Sequence, residues 1–90
     1  MKKTPLMKTI KQEIIENYGE EILMMDGYDD CIIGVVEQFG RPPIVCYNRE
    51  LVIRKLMDEG MSEEESIEFF EYNQIGAWVG DYTPCFITLL

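Results

Sequence analysis

Asp26, Asp29 and Asp30 lie within five residues of one another, directly before the apolar run Cys31-Ile-Ile-Gly-Val-Val36. Three carboxylates so close could bind a divalent cation or share an acid–base reaction. The spacing argues against a calcium loop, which needs acids at alternate positions, a central glycine and a distant bidentate glutamate. If Asp29 and Asp30 are extended they point to opposite faces and cannot reach one ion. Asp26 before Gly27 suits a turn, where its carboxylate accepts a local backbone N–H, and Asp30 suits the same role at a strand entry. The expected reading is therefore a turn. The alternative is a metal-dependent enzyme using Asp26, Asp29 and Asp30, with Asp81 completing a magnesium site.

Glu64, Glu68 and Glu71 recur at helical spacing and form a second row of acids. The helix dipole favours acids in the first turn, which accounts for Glu63, Glu64 and Glu65 but not for Glu68 or Glu71. Like charges four apart cost a few tenths of a kcal/mol, about 0.2–0.5 per pair. A solubilising surface explains such a row. So does a carboxylate ladder that imitates phosphates and docks on the arginines and lysines of a nucleic-acid-binding protein.

Nucleophilic chemistry has little to work with. The chain contains no histidine, which removes Cys–His and Ser–His–Asp systems and argues against a zinc site. Cys31, Cys46 and Cys85 cannot all pair within one chain. Each sits in an apolar stretch, and they read as buried free thiols. No cofactor motif is present. Trp78, Asp81 and Tyr82 flank or form the "GDYTP" turn. Tryptophan and tyrosine are over-represented at binding hot spots, so an exposed Trp78 would mark a partner or a homodimer seam.

Charge narrows the partners. Residues 1–11 carry four lysines and no acid; residues 12–90 carry four basic and seventeen acidic groups, so +4 and −13 give the net −9. Such a body repels phosphate backbones, which disfavours direct nucleic-acid binding and favours a protein partner with a basic surface. No apolar run approaches the roughly 20 residues that span a bilayer. The start lacks the apolar core of a secretory signal. A cytoplasmic protein without membrane contact is expected.

The elements that position these groups follow from local patterning, and ninety residues allow one domain. Thr4-Pro5 reads as the cap and first position of a lysine-rich amphipathic helix ending at Gly19, its face formed by Leu6, Met7, Ile10, Ile14 and Tyr18. This segment, within residues 1–19, packs on its own domain or on a neighbouring subunit. Asp26-Gly27 predicts a hairpin turn. "CIIGVVEQF" is apolar on both alternating sets, so it predicts a central strand covered on both faces. Gly34 within it predicts a bulge or a close backbone approach. "GRPP" predicts a turn and "IVCY" a second strand.

Asn48 caps the next helix, with Val52, Ile53, Leu56 and Met57 inward and Glu50–Arg54 and Lys55–Glu59 as surface pairs. After Gly60, Ser62 and Glu65 have the spacing of a capping box. Ile67, Phe69 and Phe70 then predict the inward side of a further helix. Asn73 falls between the phenylalanines as a buried amide that must bond to backbone. "AWV" and "CFITLL" predict a closing hairpin or extended arm. The expected fold is α+β: a small antiparallel sheet of three to five strands with three helices, in the order helix, strands, helix, helix, strands.

Four blocks, "DGYDDCIIG", "RPPIVCYNRE", "GMSEEESIEFFEYN" and "GAWVGDYTPCFI", resemble a family of small uncharacterised proteins encoded mainly by bacteriophages. The resemblance covers about residues 22–88 and leaves the lysine-rich segment outside. It carries no established activity and implies a setting, the cytoplasm of an infected bacterium. The expected function is a small acidic, non-enzymatic protein that inhibits or modulates a basic host protein, such as a defence or nucleic-acid-binding protein. Glu64, Glu68, Glu71, Trp78, Asp81 and Tyr82 would form the contact. A structural oligomer component is a further alternative.

Overall fold

A computed structural model describes residues 8–90 of the chain. The expected cap at Thr4-Pro5 and the apolar positions Leu6 and Met7 lie outside the described residues. Helix α1 spans Ile10–Tyr18 and is capped by Thr9, whose hydroxyl accepts from Gln12 N while the Gln12 side chain accepts from Thr9 N. Ile14 is its buried residue and belongs to the common core. The Tyr18 hydroxyl donates to Glu37 at 3.0 Å and so ties the helix to the sheet.

The chain then crosses the core through buried Ile22 and turns at Asp26-Gly27. Tyr28 N donates to Met25 O at 3.4 Å across that turn, and Gly27 has φ +86°, a conformation glycine adopts without strain. Among the described residues no strand precedes it, so the expected hairpin is not formed there. Asp29–Cys31 makes one 3-10 turn instead of an extended strand entry.

Strand β1 is Ile32–Gln38 and β2 is Arg41–Asn48. They pair antiparallel, with the turn at Phe39-Gly40. Within "GRPP", Gly40 thus completes the turn as expected, whereas Arg41, Pro42 and Pro43 continue as strand. The register explains how. Val36 faces Ile44 and Gln38 faces Arg41, so Pro42 and Pro43 lie together opposite Glu37 in a bulge. A bulge is where residues without an N–H fit in a ladder. A second irregularity between Ile32 and Gly34 leaves Ile33 unpaired. Gly34 marks this bulge and no close backbone contact, since a Cβ there would meet nothing within 4 Å.

Helix α2 (Arg49–Asp58) follows β2 without a gap. Asn48 Oδ1 accepts from Glu50 N and Leu51 N, as a cap should. Helix α3 (Glu63–Asn73) starts with the complete Ser62–Glu65 capping box. The two helices pack on each other and form the crossover to β3 (Cys85–Ile87), which pairs parallel to β2. Parallel pairing needs such a crossover.

Over the described residues the fold is α+β, with three helices and a mixed three-stranded sheet ordered β1-β2-β3. Three expectations are corrected. The sheet is mixed, because the last strand returns through two helices. The C-terminal segment supplies one strand and no hairpin. The central strand is β2, with Val45, Cys46 and Tyr47 buried in succession, while β1 is an edge that exposes Ile33 and Val36. Among the described residues no helix is long and apolar enough to cross a membrane.

Phe70, Tyr47, Leu56, Val45 and Val52 fill the centre of the core. Phe70 meets Phe86 edge-on at 4.9 Å, and Arg49 lies over the Phe70 ring at 5.1 Å. Ser66 is fully buried on the same helix, its hydroxyl donating to Ser62 O at 2.8 Å. A small, satisfied residue at that position lets α3 approach closely. The buried seam thus runs through Ser66 and Phe70 and leaves Phe69 at the margin.

Candidate functional site: an acidic and aromatic face on helix α3

Helix α3 exposes Glu64, Glu68 and Glu71 as expected. Their settings differ. Glu71 lies 3.9 Å from Arg49, so its charge is partly balanced. Among the described residues no ion pair involves Glu64 or Glu68. Glu65 Oε1 is occupied by the Ser62 N–H at 2.9 Å.

Glu68 borders a depression of about 470 Å³ between the α2–α3 turn and the exposed side of α3. Glu59, Gly60, Met61 and Glu65 form one side, and Phe69, Tyr72 and Asn73 the other. Tyr72 is 82% exposed. Carboxylates beside exposed aromatic rings can receive a guanidinium or ammonium group, through charge-assisted hydrogen bonds and ring-face attraction. Sequence reasoning missed Glu59, Phe69 and Tyr72 here. The signal available was the i,i+3 pair Phe69–Tyr72 next to Glu68, which places two rings beside an acid.

Asn73 is exposed, not buried, because it ends the helix on the margin of the seam. Its Nδ2 donates to Phe69 O at 3.2 Å, so the expected backbone partner is present. Trp78 and Asp81 are exposed. Tyr82 is half-buried against the core, its hydroxyl 3.5 Å from Glu21. None of these three borders the depression.

Within the aspartate cluster, Asp26 lies in a turn and Asp29 and Asp30 in the 3-10 turn that follows. Lys55 Nζ donates to Asp30 Oδ1 at 3.2 Å and Oδ2 at 3.1 Å, which replaces the expected Lys55–Glu59 pair. This hydrogen bond holds the Asp30 carboxyl below its ordinary range and raises Lys55. Among the described residues no group of three or more aspartates, glutamates, cysteines or histidines is placed to hold a metal ion.

Cys31 and Cys46 are buried and Cys85 half-buried, all free. Burial pushes the Cys31 thiol up to about 11, aided by the neighbouring Asp30. Cys85 is also pushed up to about 11, by burial and then by hydrogen bonding with Cys46, its register partner. Nucleophilic cysteines need the opposite shift.

No protein-family model, no curated protein and no solved structure matches the chain.

Proposed function

We propose that the protein is a non-enzymatic interaction module that docks a basic protein on helix α3. Arginine or lysine side chains of the partner enter the depression beside Glu68, stack on Tyr72 and Phe69, and meet Glu59 and Glu65 at the rim. Glu64 and Glu71 extend the carboxylate row along the helix, so the face imitates a line of phosphates. The observation that carries this reading is Glu68, without an ion pair among the described residues, beside the 82% exposed ring of Tyr72. Exposed aromatic area next to uncompensated charge serves recognition better than it serves folding.

The net charge of −9 supports the same reading, since it speeds encounter with a cationic target. The resemblance to phage-encoded proteins supports a target in the bacterial cytoplasm, a host defence or nucleic-acid-binding protein. Binding there would inhibit or modulate that target by occupying its cationic surface.

The test is capture from bacterial lysate by the tagged full chain at low and high salt. The variants E64Q/E68Q/E71Q and Tyr72→Ala are run beside it. Captured basic proteins should fall away with salt and with either variant, while circular dichroism is unchanged. Equal capture by the triple variant at low salt would overturn the carboxylate reading.

A further inference from the structure

Strands β2 and β3 bring two thiols together. Cys46 on β2 is the register partner of Cys85 on β3 in the parallel ladder. Tyr47 and Phe86, the next registered pair, meet on the core side of the sheet with ring centroids 5.8 Å apart. Side chains alternate along a strand, so Cys46 and Cys85 lie side by side on the reverse face. Cys46 is buried there, yet it stands outside the cluster that fills the core.

Neighbouring strands run about 4.8 Å apart, within the roughly 4.4–6.8 Å between Cα atoms that a disulfide spans. Both thiols are free, and they are close enough for hydrogen bonding with Cys46 to help raise Cys85. Cys31 stands apart from them. Its thiol donates to Asp30 Oδ1 at 3.7 Å, and it precedes β1, which flanks β2 on the side away from β3. Exposure orders the pair: Cys46 is 6% exposed, whereas half-buried Cys85 keeps partial access to solvent.

We propose that Cys46 and Cys85 form a reversible disulfide site, in which Cys85 reacts first with a low-molecular-weight disulfide and Cys46 displaces the adduct. The Cys85 thiol gives its proton to solvent, and the thiolate attacks one sulfur of the reagent. The reagent's S–S bond breaks, and one half leaves as a thiol with a proton from solvent. A mixed disulfide remains on Cys85. The Cys46 thiolate, its proton likewise given to solvent, attacks the Cys85 sulfur and expels the other half as a thiol. The protein's two thiols thus lose two electrons and two protons, and the reagent gains both. Burial of Cys85 makes the first step slow. The second joins registered neighbours, so proximity favours it. Closure binds β3 covalently to β2 and turns the stretch that holds α2 and α3 into a closed loop. Such a bond removes freedom from the unfolded chain.

The reduced full chain is incubated in mildly alkaline buffer with hydroxyethyl disulfide, a neutral reagent that a body of net −9 does not repel. Intact mass is read, excess reagent is removed, and free thiols are alkylated in denaturant before peptide mapping. The expected product is a chain lighter by two hydrogens, with Cys46 joined to Cys85 and Cys31 alkylated. Its denaturant midpoint should lie above that of the reduced chain, and dithiothreitol should restore both mass and midpoint. Cys46→Ala should stop at the mixed disulfide on Cys85, heavier by one half of the reagent.

A map that joins Cys31 to either partner, linkage between chains in place of the internal bond, or a cross-linked chain with a lowered midpoint would each overturn the proposal. So would wild-type protein that keeps all its thiols through prolonged incubation. Wild-type protein that holds the mixed disulfide on Cys85 without expelling the second half would overturn it too, since Cys46 would then be out of reach. The wild-type map decides by itself, whether or not Cys46→Ala folds.

Discussion

The backbone N–H of Met25 donates to the Tyr47 hydroxyl at 2.6 Å, pinning the segment after α1 to the central strand. Tyr47 is fully buried, and burial is the main cause that raises its phenol above the ordinary range. Tyr47→Phe keeps the ring but leaves that N–H without a partner. The expected loss is about 1–3 kcal/mol, read from the denaturant midpoint. Amide exchange at Met25 should accelerate with it. An unchanged midpoint would mean that water replaces the hydroxyl at no cost.

Lys55 and Asp30 set a pH signature. Asp30 is depressed by its hydrogen bond to Lys55, so its contribution is fully present above the ordinary value of 3.8 and is lost as pH falls through the lowered one. Lys55 is raised by the same bond, so its contribution is present below 10.5 and is lost as pH rises through the raised value. Melting curves of the wild type and Asp30→Asn should differ between those limits and converge in acid. A constant difference across pH would show that the asparagine acts through something other than the lost charge.

Phe69 and Phe70 are neighbours in sequence with opposite roles. Phe70 is fully buried between Phe86 and Arg49, and Phe70→Ala should cost about 3–5 kcal/mol. That is a large share of the stability of a domain this small. Phe69 is 36% exposed at the rim of the α3 depression. Phe69→Ala should cost far less, yet weaken binding of a basic partner. Guanidinium denaturation of both variants distinguishes the positions.

Thiol chemistry offers a further check. With their thiols pushed up to about 11, Cys31 and Cys85 hold on the order of a hundredfold less thiolate near pH 8 than an exposed cysteine. Their labelling by an alkylating reagent should be slow in the folded protein and rapid in denaturant. Fast labelling of Cys31 in native buffer would contradict its burial.

Local chemistry was legible along the chain, and long-range pairing was not. Asn48 as a cap, the Ser62–Glu65 box and the Glu50–Arg54 pair all lie within four residues and form as expected. The apolar run of β1 cannot by itself distinguish a central strand from an edge, because the pattern records side-chain type and not which neighbour arrives. The same limit hid the parallel return of β3 and the Lys55–Asp30 pair, which spans 25 residues. Pro42 and Pro43 argued for a turn, and only the register shows the bulge that accommodates them. For the candidate site, the glutamate row could be read from helical spacing. The outward turn of Phe69 could not, because it follows from buried Ser66, a polar residue that no hydrophobic pattern counts.

The parallel pairing of β3 with β2 also bears on the route by which the chain folds. The β1–β2 hairpin closes over a short loop and can form early, whereas β3 finds its place only after α2 and α3 have been laid down between Asn48 and Cys85. Closing that larger loop costs entropy before any contact rewards it. The rate-limiting event should therefore be the docking of this last short strand. Substitutions at Phe86, which rides on it against Tyr47 and Phe70, should slow folding more than equal losses of stability within the hairpin.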